Sequence, residues 1–292
     1  LKSEKHIVNL KLNIHLFGSE MKNSITAIAL FIISFFLHES CFGQASKKTK
    51  FKILVLYENG GHHLAFSKAA KPWLNKLASE NNFTIDYIEN TKTINESLLN
   101  QYRLFIQLDY PPYTWSEESM KAFQKYMNDG KGGWIGLHHA TLLGEFDGYP
   151  IWNWFSDFMG GIRFVNYIPD FASAKVIVED KVHPVMKGVP ADFLVQKEEW
   201  YTYDKSPRKN VHVLASVDES TYQPDSKIKM GDHPVVWTNE HLHPEMFIFL
   251  WDILPIYLII KPTLLFLKMQ FYGHQIKNKS AVLSIFRISI CS

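Results

Sequence analysis

The side chains best suited to proton transfer or metal binding fall in short segments: His62 and His63 in ENGGHH, His138 and His139 in GWIGLHHA, Glu198 and Glu199 in KEEWYTY, and His233, Glu240 and His241 in HPVVWTNEH. Imidazole and carboxylate groups are what general acid–base chemistry or a divalent cation requires. No pair has the spacing of HExxH or of a cysteine zinc site, so a metal centre here depends on the fold gathering separate segments. Local explanations stand beside the chemical ones. Either of His62 and His63 can cap the following helix or face solvent. His139, one residue beyond His138, is expected on the opposite side of a strand as a core histidine. Glu198 reads as a solvated neighbour of Glu199, and His233 as a turn residue before Pro234. Trp134, Trp152, Trp154 and Trp237 read more readily as packing aromatics than as a sugar platform.

The elements that must position these residues begin at Phe51. FKILVLYE, FTIDYIE, RLFIQLDY and GGWIGLHH are β-rich runs, separated by a stretch of helical spacing from Leu64 to Glu80 and by a helix that starts at Ser116 and ends near Asn128, before Gly130. Ser116 followed by Glu117 and Glu118 suits a helix start, because the hydroxyl caps free N–H groups and the acids complement the helix dipole. WNWFSDFMGG predicts a further helix closed by Gly160 and Gly161. ASAKVIVED and VHVLASVD are strands flanking KEEWYTY, which reads as a loop. Strands without strict alternation, separated by helices, imply a mostly parallel sheet covered on both faces. Ligands bind such sheets beyond the carboxyl ends of the strands, where His62 and His63 would approach His138 and His139.

With 292 residues, 46% hydrophobic and 14% aromatic, the chain can bury the core of one globular domain. Its net charge of +2 is spread without a basic stripe, which argues against a nucleic-acid partner. From Met21, the basic Lys22 and the apolar run Ile25–Leu37 form a secretory signal over residues 21–43, too short to span a bilayer. Cleavage after Gly43 removes Cys41, with lipidation at Cys41 as the alternative. Residues 1–20 read as translated upstream sequence. The expected product is exported, periplasmic or extracellular, and keeps only Cys291, so it has no internal disulfide.

GGHH, GWIGLHHA, HPVMKGVP, EEWYTYDKSPRKNVHVLASVDESTY and DHPVVWTNEH occur in this order, and together they closely resemble the trehalose-utilisation (ThuA-like) family from about Phe51 to Glu245. The resemblance implies the α/β fold of class I glutamine amidotransferases, a flavodoxin-like three-layer sandwich with a mostly parallel sheet, over residues 51–249. Those relatives carry a nucleophilic cysteine on a tight strand-to-helix turn. GLHHA places His138 or its neighbour there, so cysteine-dependent amidotransfer is not expected. The resemblance implies instead a role in sugar metabolism on a small carbohydrate, a disaccharide or an oxidised sugar, by hydrolysis or isomerisation. A carbohydrate-binding protein without catalysis is the competing reading. His138, Glu199 and Glu240 are the expected catalytic residues, with Glu199 or Glu240 as general acid or base. His63, Trp200 and Trp237 are the expected substrate contacts. The histidines, His62 and His233 among them, would hold a divalent metal such as zinc or polarise a carbonyl.

The tail departs from this family pattern. FLWDILPIYLIIKPTLLFLKM, Phe249–Met269, has nearly the length of a membrane span, roughly 20 apolar residues. Asp252, Lys261, Pro255 and Pro262 break it, so no membrane anchor is expected. Shifting the codons of Phe249–Gln275 by two nucleotides permits the M-G-H segment and amphipathic helix with which family members end. Residues 250–292 are therefore expected to be a frameshifted tail, with the final strand and helix lost. A decayed, inactive gene product is a further alternative.

Overall fold

The computed structural model describes residues 51–60, 64–145 and 148–239, together with the backbone of 246–249. All described residues belong to one compact unit, Thr49–Ser292. The expected upstream segment 1–20, signal segment 21–43 and tail 250–292 lie outside the described residues.

Nine strands form one mixed sheet in the order β2-β1-β3-β4-β11-β10-β9-β6-β7. β1 (Lys52–Tyr57) pairs in parallel with β2 (Thr84–Ile88) and β3 (Leu104–Leu108), β3 with β4 (Gly133–Leu137), and β4 with β11 (Met246–Phe249). This is the flavodoxin-like order, and it reverses direction between β1 and β3. LFIQL of β3 and GWIGL of β4 are buried at every residue, which explains their largely apolar character, Gln107 excepted. The α/β fold with a parallel sheet is thus the one expected.

The other half of the sheet is antiparallel: β10 (Pro234–Thr238), β9 (His212–Gln223), β6 (Ala172–Val178) and β7 (Asp192–Glu198) follow one another outward from β11. ASAKVIV of β6 alternates buried and less buried positions, as a strand with one wet face should. KEEWYTY is not the loop expected. Its first residues end β7, and Tyr201–Tyr203 form β8, which pairs with β5 (Phe164–Tyr167) as a separate ribbon, because Tyr201 and Tyr203 bury their rings. Only Glu199 and Trp200 lie between the two strands. The expected loss of the final strand is also corrected in part, since Met246–Phe249 bridges β4 and β10.

Helix α1 (Leu64–Asn81) buries Phe66, Ala70, Leu74 and Leu77, one stripe at helical spacing. A single turn, α2 (Glu96–Leu99), precedes β3. In α3 (Glu117–Asn128) the Ser116 hydroxyl accepts from the Ser119 N–H at 3.1 Å, while the Ser119 hydroxyl donates to the Thr91 carbonyl at 2.8 Å, so the cap also docks the helix. Helix α4 (Asn153–Phe158) ends in Gly160, whose φ of +103° and close neighbours exclude a side chain: an added Cβ would lie 2.8 Å from Pro207 Cβ and Val211 Cγ1. Among the described residues no helix is long and apolar enough to cross a membrane.

Candidate functional site

The residues that follow three neighbouring parallel strands converge. Glu58 follows β1, Asp109 follows β3, and His138 and His139 follow β4, all on the carboxyl side of the sheet where its order reverses. The strands set their positions from below. The Trp134 indole lies flat across Gly136, where a Cβ would sit 2.0 Å from the ring. Its N–H donates to Gln107 Oε1 at 3.3 Å, and Gln107 Nε2 donates to the Tyr110 carbonyl at 2.6 Å. A buried amide in mid-strand is thereby satisfied while fixing the turn that carries Asp109.

Asp109 and His138 adopt φ of 54° and 41°, left-handed conformations costly for residues with a side chain, of order 1–3 kcal/mol each. Neighbouring bonds hold the second of these. β4 gives way at Leu137 to a 3-10 turn, His138–Thr141, in which the Thr141 hydroxyl donates to the His138 carbonyl at 2.8 Å and itself accepts from the Tyr203 hydroxyl at 2.7 Å. This turn corrects the expected sidedness of His139. Alternation no longer applies once the strand has ended, so the two imidazoles stack with centroids 5.2 Å apart. The His139 N–H donates to Asp109 Oδ1 at 3.2 Å, and its Nδ1 lies 2.9 Å from Glu58 Oε2 and 3.6 Å from Asp109 Oδ1.

His138 Nε2 lies 3.2 Å from Glu199 Oε2, and the Tyr201 ring covers the imidazole at 4.1 Å between centroids. The side chains of His138 and Asp109 are fully buried, whereas those of His139, Glu199 and Glu58 are 15, 18 and 29% exposed. The site therefore has a dry floor and a carboxylate-lined opening. Glu198 is not solvated as expected: it is buried, and its Oε1 accepts the Glu199 N–H at 3.0 Å, so it orients its neighbour.

Other expected site residues sit elsewhere. His233 is buried with both nitrogens engaged, Nε2 with the Tyr201 carbonyl at 2.9 Å and Nδ1 with Glu219 Oε1 at 2.9 Å and the Tyr222 hydroxyl at 3.2 Å. It fastens β8 to β9, and both nitrogens have protein partners where the sequence suggested a metal ligand. Burial pushes the Glu219 carboxyl up, but hydrogen bonds from His233 and from the Met230 and Gly231 N–H groups outweigh this and hold it below the ordinary carboxylate range. Trp200 and Trp237 are core residues whose N–H groups donate to the Ala172 and Met159 carbonyls at 2.6 and 3.2 Å, so neither offers a face to a sugar. Trp134, Trp152 and Trp154 pack around Phe123, as expected. His62, His63, Glu240 and His241 lie outside the described residues. Glu58, Asp109 and Tyr201 were not singled out by sequence; the only signal for the two acids is that each directly follows a buried strand.

The profile of the ThuA family, described as trehalose utilisation, matches residues 52–251. No curated protein matches the chain. Among solved structures, a ThuA-like protein from Bacteroides uniformis is similar at 30% identity and a TM-score of 0.63, over 70% of this chain and 83% of that one. A ThuA-like protein from Parabacteroides merdae is similar at 19% identity and a TM-score of 0.51, over 68% and 78% of the two chains. A Thermoplasma acidophilum protein, described as one component of GMP synthase, shares the fold at 14% identity and a TM-score of 0.51, over 77% of this chain and 98% of that one. With this profile matched over residues 52–251, well over half of its length, the chain belongs to the trehalose-utilisation (ThuA) family.

Proposed function

We propose that this protein is an exported enzyme of carbohydrate metabolism that moves protons on a small sugar, a disaccharide or an oxidised sugar, by hydrolysis or isomerisation. Family membership supports the carbohydrate role, and the 21–43 segment supports export. One observation carries the catalytic reading: buried His138 presents Nε2 to the partly exposed Glu199 carboxylate at 3.2 Å. Glu199 is the general base or acid, and His138 holds it in place. On an oxidised sugar, Glu199 takes a proton from the carbon beside the carbonyl and returns it to the neighbouring carbon or oxygen. On a disaccharide, it takes a proton from water while a second group, Glu240 in this scheme, protonates the leaving oxygen. The turn after β4 holds a histidine, and cysteine is absent from the described residues, so the scheme uses no cysteine nucleophile.

The test is turnover of a panel of disaccharides and their keto derivatives, followed by NMR, for the wild type and Glu199→Gln. Loss of a positioned acid–base group lowers kcat by about 10²- to 10⁴-fold with KM changed far less. A Glu199→Gln protein that turns over at the wild-type rate removes Glu199 from the chemistry. Tight sugar binding without turnover in the wild type would favour a binding protein instead.

A further inference from the structure

From the same cluster we infer a divalent transition-metal site made by Asp109, His138 and His139. The inference rests on the reading of this cluster as the reacting centre and adds to it a defined ligand set, in which Asp109 is a ligand that neither the family description nor the sequence points to. One ligand atom from each of the three residues lies within 4.8 Å of the other two. Two donors at about 2.1 Å from a tetrahedral ion stand about 3.4 Å apart. Asp109 Oδ1 and His139 Nδ1 are already 3.6 Å apart, close to the spacing of two donors on one ion.

The chemistry of the set agrees. Two imidazoles and one carboxylate suit zinc and its first-row neighbours, whereas calcium and magnesium prefer oxygen alone. Asp109 is a fully buried carboxylate beside a fully buried imidazole, a combination that a cation stabilises and an apolar core does not. His138 also faces a second carboxylate, Glu199, through Nε2, the outer-shell arrangement that orients a metal-bound histidine, while Glu58 Oε2 lies 2.9 Å from His139 Nδ1, within reach of an ion held there. Two of the three residues are held in left-handed backbone conformations that bring them to the end of the sheet. The ion would sit at the floor of the site with its open side toward Glu199 and Glu58, placed to bind sugar oxygens.

The experiment uses the full chain, stripped with chelator and titrated with Zn²⁺ by calorimetry, with bound metal counted by mass spectrometry. One equivalent is expected. Asp109→Asn and His139→Ala should each weaken binding by more than about 100-fold, beyond the roughly 10- to 100-fold expected for an outer carboxylate such as Glu199. His212→Ala, which alters a surface histidine paired with Asp180, should bind as the wild type does. Circular dichroism reports whether each variant folds. If Asp109→Asn or His139→Ala does not fold, the Co²⁺ spectrum of the wild type decides, with visible bands of a nitrogen–oxygen site supporting the inference and the spectrum of free aqueous ion overturning it. Substoichiometric zinc in the wild type, or full binding by the Asp109→Asn, His139→Ala double variant, also overturns it. The two readings fail separately: Glu199→Gln that binds zinc but keeps full turnover defeats the acid–base assignment alone, and a zinc-free wild type with normal turnover defeats the metal alone.

Discussion

Replacing His233 by alanine separates a structural histidine from a metal ligand. The ring lies among Tyr201, Tyr222 and Glu219, with both nitrogens engaged. Its removal takes a partner from the Tyr201 carbonyl and from the Glu219 carboxylate, and each buried polar group left short costs about 1–3 kcal/mol. Glu219 keeps the Met230 and Gly231 N–H groups at 2.6 and 2.8 Å, which places its loss at the lower end of that range. The vacated volume, on the order of 60 Å³, adds about 1–1.5 kcal/mol at roughly 24 cal/mol per Å³. The sum is about 3–5 kcal/mol, which for a domain of this size lowers Tm by about 6–20 °C. The assay is urea and thermal denaturation with wild type and variant side by side, and zinc content measured on the folded fraction. A loss below about 1 kcal/mol, or a variant of normal stability that has lost its zinc, would refute the reasoning.

The structure predicts two further outcomes, and the sequence of the tail a third. Glu219 has its carboxyl held down in the folded state, so the stability it contributes is complete above the unfolded value of about 4.3 and is lost as pH falls through the folded one; Glu219→Gln should flatten the acid limb of the stability curve relative to the wild type, as read by urea unfolding between pH 3 and 7, pH values chosen to bracket about 4.3. Gly160→Ala combines a left-handed φ with contacts at 2.8 Å to Pro207 and Val211 and should cost about 2–5 kcal/mol in denaturant melts, against less than about 0.5 for a surface glycine of ordinary φ. Resequencing the codons of Phe249–Gln275 should reveal a nucleotide gained or lost, and an unchanged reading would instead favour a decayed gene.

Much of the fold was legible because burial leaves a plain pattern. Largely apolar runs marked β1, β3 and β4, and Ser116 with its two acids marked the start of α3. KEEWYTY misled because two short strands meet within it and the charged residues at its start resemble a loop. The site was half legible. Histidines at the end of GWIGL announced themselves, but Glu58 and Asp109 are single acids at strand ends, and only the order β2-β1-β3-β4 makes them neighbours. His139 was misplaced because period-two reasoning was carried one residue beyond the strand, which stops at Leu137. Trp200 stands next to Glu199 in sequence, yet the chain turns between them, and the indole enters the core while the carboxylate faces His138.

The central claim is that sugar meets the protein at the carboxyl ends of β1, β3 and β4. It is tested most directly by titrating disaccharides and their keto derivatives into protein carrying labelled histidines and recording each imidazole signal. The account predicts that His138 and His139 shift together and saturably, while the surface histidines His183 and His212 stay in place. Saturable sugar binding that leaves His138 and His139 unmoved would contradict it.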